Sequence, residues 1–227
     1  LSEVASPGEP PLPQAHETHL AHHFDDTDQQ RDAATLGMWV FLVTEVLFFG
    51  GLFATYMVYR VWYPRTFGLA SRSLSVWSGA SMTVVLITSS LTVATSVHWS
   101  ALGKNLRVLG FLALTLVLGV TFVGLKGLEY YHEFLAHHIP GHGFVFPGPD
   151  PEHAQIFFSL YFAMTGLHAL HMLIGFGLLI VMMYMAARSY FSAAWHTPME
   201  LVGLYWHFVD IIWIFLFPLL YLVDRHM

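Results

Sequence analysis

Glu45 lies near the middle of an apolar stretch, Leu36 to Tyr59, that carries no other charge. An ionisable group at that depth faces a protein partner or water, because placing a bare carboxylate in hydrocarbon costs at least about 2.5 kcal/mol. Three further pairs of polar residues stand in apolar surroundings, each spaced by three: Lys126 and Glu129, His168 and His171, His207 and Asp210. On a helix that spacing puts both members on one face. Lys126 and Glu129 read as a mutually neutralising ion pair within reach of a membrane interface. His207 and Asp210 read either as a self-satisfying pair that locks one rotamer or as a contact to lipid or to another subunit.

Histidines in such places invite a haem or metal reading. Axial ligands reach one iron from opposite sides of the porphyrin, so His168 and His171 on one face cannot both bind it. Each needs a partner on another helix, and His98 and His207 are the candidates. A b-type haem anchor stays open on that basis. The more economical role is hydrogen bonding inside a helix bundle, since buried polar groups without partners are costly. A contact between Glu45 and a histidine of the fourth apolar segment fits this role, with His171 ahead of His168. A neutral carboxylic acid facing His or lipid costs far less than a bare anion. A transporter with Glu45 as its coupling site is a further alternative. The histidines at 16, 19, 22 and 23 and at 137, 138 and 142 read as solvated loop residues rather than a metal site. Arg188, next to Tyr190 and Phe191, has the fork geometry to hold a lipid phosphate, unless it only snorkels to the interface.

The elements that position these groups follow from composition. Of 227 residues 56% are hydrophobic and only 11% charged, where a soluble domain carries roughly 25% charged. A helix needs about 20 apolar residues to span hydrocarbon, and five segments reach that length, at roughly 34–60, 76–98, 106–131, 154–186 and 200–223. The fold expected is all-α: a polytopic membrane protein with a five-transmembrane-helix bundle over residues 34–227, preceded by a polar, Pro- and His-rich arm over 1–33. No stretch within that arm reads as a secretory signal. Nineteen Phe, ten Tyr and seven Trp suit a lipid-facing surface with interfacial belts. A net charge of −6 disfavours nucleic acid as a partner. The absence of cysteine removes disulfides, cysteine-ligated metals and covalent c-type haem.

The connections carry turn chemistry. The longest, His132 to His153, holds Pro140, Gly141, Gly143, Pro147, Gly148, Pro149 and Pro151, which cannot continue a helix. A basic, turn-prone stretch with Pro64, Arg65 and Arg72 joins the first two segments, and Gly103 and Lys104 make a tight turn between the next two. Gly166, Gly175 and the run Ser78-Gly79-Ala80-Ser81 suit close helix approach in lipid. Counting basic residues on the two sides gives four against five, which sets no orientation.

The run Leu36-Gly-Met-Trp-Val-Phe-Leu-Val-Thr-Glu-Val-Leu-Phe-Phe49 resembles the glutamate-bearing helix of cytochrome c oxidase subunit III. Glu129-Tyr-Tyr131, Gly166-Leu-His-Ala-Leu-His171 and Tyr205-Trp-His-Phe-Val-Asp-Ile-Ile-Trp213 match the same family in order, and His22-His-Phe-Asp-Asp26 with Gln29 and Gln30 is similar to its bacterial members. The similarity covers most of residues 22–224. The longest family members have seven spans, and this chain matches their last five. Five-span forms also occur in quinol oxidases and in proteins associated with nitric oxide reductase. Glu45, where some quinol-oxidase members carry aspartate, favours the cytochrome c branch.

The resemblance implies a non-redox accessory subunit of a proton-pumping haem–copper oxidase, non-catalytic alone, in the bacterial inner (plasma) membrane with its N-terminus cytoplasmic. It implies no cofactor in this chain. Haem and copper belong to the partner subunits I and II, and bound phospholipids fill a cleft. Other respiratory complexes are further candidate partners. It carries the family's membrane glutamate onto Glu45 and its histidine partner onto His171, with His168 and Glu129 as further buried polar residues. Trp206, His207 and Asp210 fall in the last-helix motif, with Arg188 and Trp206 as lipid-binding candidates.

Overall fold

The structure is a computed structural model and describes residues 24–148, 150–193 and 195–223. Six α-helices and no strand occur among them: α1 (Thr27–Trp62), α2 (Pro64–Ser73), α3 (Val76–Ala101), α4 (Asn105–Leu135), α5 (Pro151–Ala187) and α6 (Thr197–Tyr221). All except α2 are long and apolar enough to cross a membrane, which makes this a multi-pass membrane protein.

α1 begins earlier than its apolar run. Asp26 caps it, accepting from the Gln29 backbone N–H at 2.6 Å, while the Gln29 side chain accepts from the Asp25 N–H at 2.8 Å. These bonds satisfy donors that a helix start leaves open. Residues 27–33 therefore form the polar first turns of α1. The four arm histidines, at 16, 19, 22 and 23, lie outside the described residues. At 36 residues α1 is about 54 Å long, so its polar first turns stand clear of a hydrocarbon core of about 30 Å.

The stretch between the first two spans also differs from the expected turn. Pro64 opens a helix, a position where its missing N–H costs nothing. This short α2 buries Phe67 and Ala70 and leaves Arg65 and Arg72 exposed. Phe67 packs edge-on against Tyr56 of α1 and Phe157 of α5, and the Ser71 hydroxyl donates to the Leu220 carbonyl at 2.7 Å. α2 thus fastens one end of the bundle.

α6 is the central helix. It packs on α3, α5, α1 and α2, whereas α1 packs chiefly on α6, α5 and α2. Burial follows this order: 56% of the most apolar stretch of α6 is buried within the chain, against 11% for α1. The pattern explains the glycines. A Cβ on Gly175 would meet the Trp206 ring at 2.9 Å, and one on Gly119 would meet Phe176 at 2.6 Å and Trp206 at 3.1 Å. Large rings on α6 and α5 fill the space left by missing side chains, which brings the helices together where lipid gives no hydrophobic drive.

Candidate functional site

Glu45 projects from α1 onto α5. Its Oε2 lies 3.1 Å from His171 Nε2, and the other ring nitrogen, Nδ1, lies 2.8 Å from the Leu167 carbonyl oxygen. A carbonyl only accepts, so Nδ1 carries a proton. With a neutral ring, Nε2 is then a lone pair and Glu45 must donate to it as a carboxylic acid. With a charged ring the contact is an imidazolium–carboxylate pair. The two forms differ by one proton shifted along this bond. Phe49 stands edge-on to the His171 ring at 5.2 Å, and the Tyr205 hydroxyl donates to the His171 carbonyl at 3.0 Å. Three helices therefore fix the pair, which keeps side-chain exposures of 12% for His171 and 20% for Glu45. It is not sealed inside the chain.

Beside it runs an apolar groove of about 410 Å³ between α1 and α6, walled by Leu42, Val46, Phe49, Phe53, Phe208 and Ile212 among others. The groove offers almost no polar surface. At the start of α1 it gives way to a more polar rim, where Arg31 lies 3.6 Å from Glu200 and His196 Nε2 3.3 Å from the same carboxylate.

Lys126 and Glu129 form an ion pair at 2.7 Å, yet they do so inside the bundle, with exposures of 4% and 8%. The expected ion pair is present and belongs to a closed network. Lys126 Nζ donates to Glu129, to the Tyr161 hydroxyl at 2.9 Å and to the Tyr221 hydroxyl at 2.7 Å, so all three ammonium protons are used. Both tyrosines donate onward to Glu129 Oε1, and Ser78 donates to Oε2 at 3.2 Å. One carboxylate thereby joins α3, α4, α5 and α6.

The other polar residues divide. His168 is enclosed between Phe122 and Trp213, each 5.4 Å away, and neither ring nitrogen has a hydrogen-bond partner. His207 and Asp210 do not satisfy each other. His207 Nδ1 pairs with the Ser90 hydroxyl at 2.6 Å, and Ser90 also stands within hydrogen-bonding reach of the buried Asp210 carboxyl.

Arg188, at the C-cap of α5, is exposed with its guanidinium 5.4 Å over the Tyr184 ring. Trp206 is fully enclosed, and its Nε1 donates to Ser89 Oγ at 3.1 Å. It belongs to the helix packing and has no surface for lipid, which corrects its assignment as a lipid ligand.

Sequence reasoning missed Ser90, Tyr161 and Tyr221, whose roles come from other helices and leave no local spacing. It also missed Glu133 and His138. His138 is buried, stacks on Phe158 at 4.6 Å and holds Glu133 Oε2 at 2.6 Å on Nδ1. His137 beside it adopts a positive φ of 56°. The long connection therefore folds back over the α4–α5 end, and His138 is no solvated loop residue. No group of three or more metal-ligating side chains stands together among the described residues.

Comparison with known proteins agrees with these motifs. The family model for cytochrome c oxidase subunit III matches residues 15–224. A probable cytochrome c oxidase subunit 3 from Mycobacterium leprae is 32% identical, covering 83% of this chain and 87% of the relative. Cytochrome c oxidase subunit 3 from Thermostichus vulcanus is 31% identical over 88% of this chain and 92% of its own length. Subunit 3 of a cytochrome bo(3) ubiquinol oxidase from Pseudomonas putida is also 31% identical, over 83% and 84%. The chain belongs to the cytochrome c oxidase subunit III family, and as such is a subunit III of a haem–copper oxidase complex.

Proposed function

We propose that this chain supports its oxidase without carrying redox chemistry: it covers a membrane face of subunit I, holds phospholipids in ordered grooves and keeps proton entry matched to electron delivery. The observation that carries the reading is the Glu45–His171 contact at the edge of the α1–α6 groove. A proton-bearing pair beside a hydrocarbon-lined groove ties a lightly packed helix to the bundle while tolerating lipid on its open side. Loss of that tie frees α1, loosens the lipid seat and exposes the neighbouring subunit to solvent.

In this reading haem and copper sit in subunits I and II, cytochrome c is the electron donor, and the membrane is a bacterial plasma membrane with the N-terminus cytoplasmic. Arg188 is suited to a lipid phosphate, because it is exposed at a helix end and anchored over Tyr184 rather than committed to a carboxylate.

Purification in mild detergent tests the assignment. Subunits I and II, haem and copper should co-purify with this chain, together with phospholipid whose amount falls in Arg188→Ala. A copper-bearing subunit II supports cytochrome c as donor, whereas a complex without that copper assigns a quinol donor. A chain that purifies alone, or shows a Soret band by itself, overturns the reading.

A further inference from the structure

The turn between α3 and α4 carries a pair of cations that neither the Glu45 site nor the α1–α6 groove uses. The Arg107 guanidinium lies 4.0 Å from the centroid of the Trp99 ring, and Lys104 Nζ lies 5.1 Å from the same ring. Both cationic side chains are exposed, Trp99 is half-buried, and neither cation enters an ion pair among the described residues. The turn that presents them is held from behind. Gly103 makes the reversal at a positive φ of 65°. The Asn105 side chain bonds both backbone groups of Phe191, donating from Nδ2 to the carbonyl at 2.9 Å and accepting from the N–H at 3.2 Å.

Two like charges gathered on one ring repel each other at a separation that salt screens only in part. Their place on the helix adds to this repulsion. Lys104 is the N-cap of α4 and Arg107 stands in its first turn, which holds no acidic residue, so both meet the positive end of the helix dipole. An anion held by the pair reverses both effects. The neighbours say which anion. The apolar spans end at this turn, where lipid head groups begin. Leu102 and Leu106 beside the cations are 51% and 83% exposed, and hydrocarbon accommodates such side chains better than water. A phosphate carried on acyl chains meets both requirements, and basic clusters at the ends of membrane helices recognise anionic head groups in this way. We propose that Lys104, Arg107 and Trp99 form a binding site for the phosphate of an anionic phospholipid. The inference rests on the lipid-holding reading and adds to it a further place, at the α3–α4 turn, and a preference for net negative charge.

Native mass spectrometry of the purified oxidase complex, exchanged into an equimolar mixture of phosphatidylglycerol and phosphatidylcholine, tests it. Wild type should keep phosphatidylglycerol on this chain in preference to phosphatidylcholine, and Lys104→Gln combined with Arg107→Gln should reduce that preference about tenfold. Lys104→Arg, which keeps the charge, should behave as wild type. Arg65→Gln removes an equally exposed cation at the opposite end of the spans and should leave the preference unchanged. An unchanged preference in the double variant, or an equal loss in Arg65→Gln, overturns the proposal. Displacement of phosphatidylglycerol by inorganic phosphate at equal concentration overturns it in favour of a free-anion site. A carbodiimide crosslink from Lys104 to a carboxylate of another subunit overturns it in favour of a protein partner. Where the double variant fails to accumulate, Arg107→Gln alone decides, with a several-fold loss expected. A complex that retains neither phospholipid removes the lipid-holding reading and this inference together. Retention of both without preference removes this inference alone.

Discussion

Lys126 Nζ lies 2.7 Å from Glu129 Oε1, one turn apart on α4, and the two are enclosed by tyrosines from α5 and α6. Breaking a buried pair by removing one partner costs about 3–5 kcal/mol, because the other charge is left stranded. Lys126→Met should fall near the low end, since Tyr161 and Tyr221 still donate to the carboxylate. The double change Lys126→Met with Glu129→Gln should cost less than Lys126→Met alone. The thermal midpoint for release of this subunit from the purified oxidase measures both. Matching midpoints for wild type and Lys126→Met would show that the network adds no stability.

Gly119 and Gly175 leave room for Phe176 and Trp206. Adding a methyl at either position forces rings to move inside a packed seam, at about 1–3 kcal/mol. Gly177, on the same helix as Gly175, has nothing within 4 Å of an added Cβ. Gly177→Ala should be neutral, or stabilise by up to about 1 kcal/mol through helix propensity. The same thermal midpoint separates the two classes, and equal shifts at Gly175 and Gly177 would contradict the packing account.

The Asp150 carboxyl sits just before α5, outside the membrane spans. It accepts from His153 Nδ1 at 2.7 Å and from the Thr66 hydroxyl of α2 at 3.2 Å. The hydrogen bond from His153 outweighs desolvation and holds this carboxyl below its ordinary range. A lowered folded-state value means that the contact stabilises above the unfolded value of about 4 and is lost as pH falls through the folded one. Amide exchange in α2, corrected for intrinsic rates, should therefore rise below about pH 4, and Asp150→Asn should remove that step. An unchanged acid step in Asp150→Asn would assign it to another group.

What the sequence made legible was whatever repeats on one helix. Apolar length located the five spans, and the spacing of three paired Lys126 with Glu129. The link from Glu45 to His171 crosses 126 positions; no spacing gives it, but a buried carboxyl's need for a partner pointed to span four and the family motifs carried that pairing onto His171. His207 and Asp210 carry the same spacing as Lys126 and Glu129 but are separated in their bonding, because Ser90 on α3 takes the histidine. A spacing rule places residues on a face and says nothing about what the facing helix offers. α2 was hidden for a related reason: ten residues with two arginines and a proline read as a turn until Phe67 finds its pocket between Tyr56 and Phe157. Trp206 stood in the last-helix motif as a lipid-binding candidate, and Gly119 and Gly175 on other helices make the room that encloses it.

The central claim is that Glu45 preserves the working complex rather than its chemistry. A Gln amide can still donate to His171 Nε2 as the acid does, whereas Ala cannot. The decisive measurement is the number of turnovers that purified oxidase completes before inactivation. Glu45→Gln should match wild type, while Glu45→Ala should begin at a rate within about twofold of wild type and then inactivate several-fold sooner, as expected where a half-buried tie of about 1 kcal/mol is lost. Equal turnover lifetimes for Glu45→Ala and wild type would contradict the account.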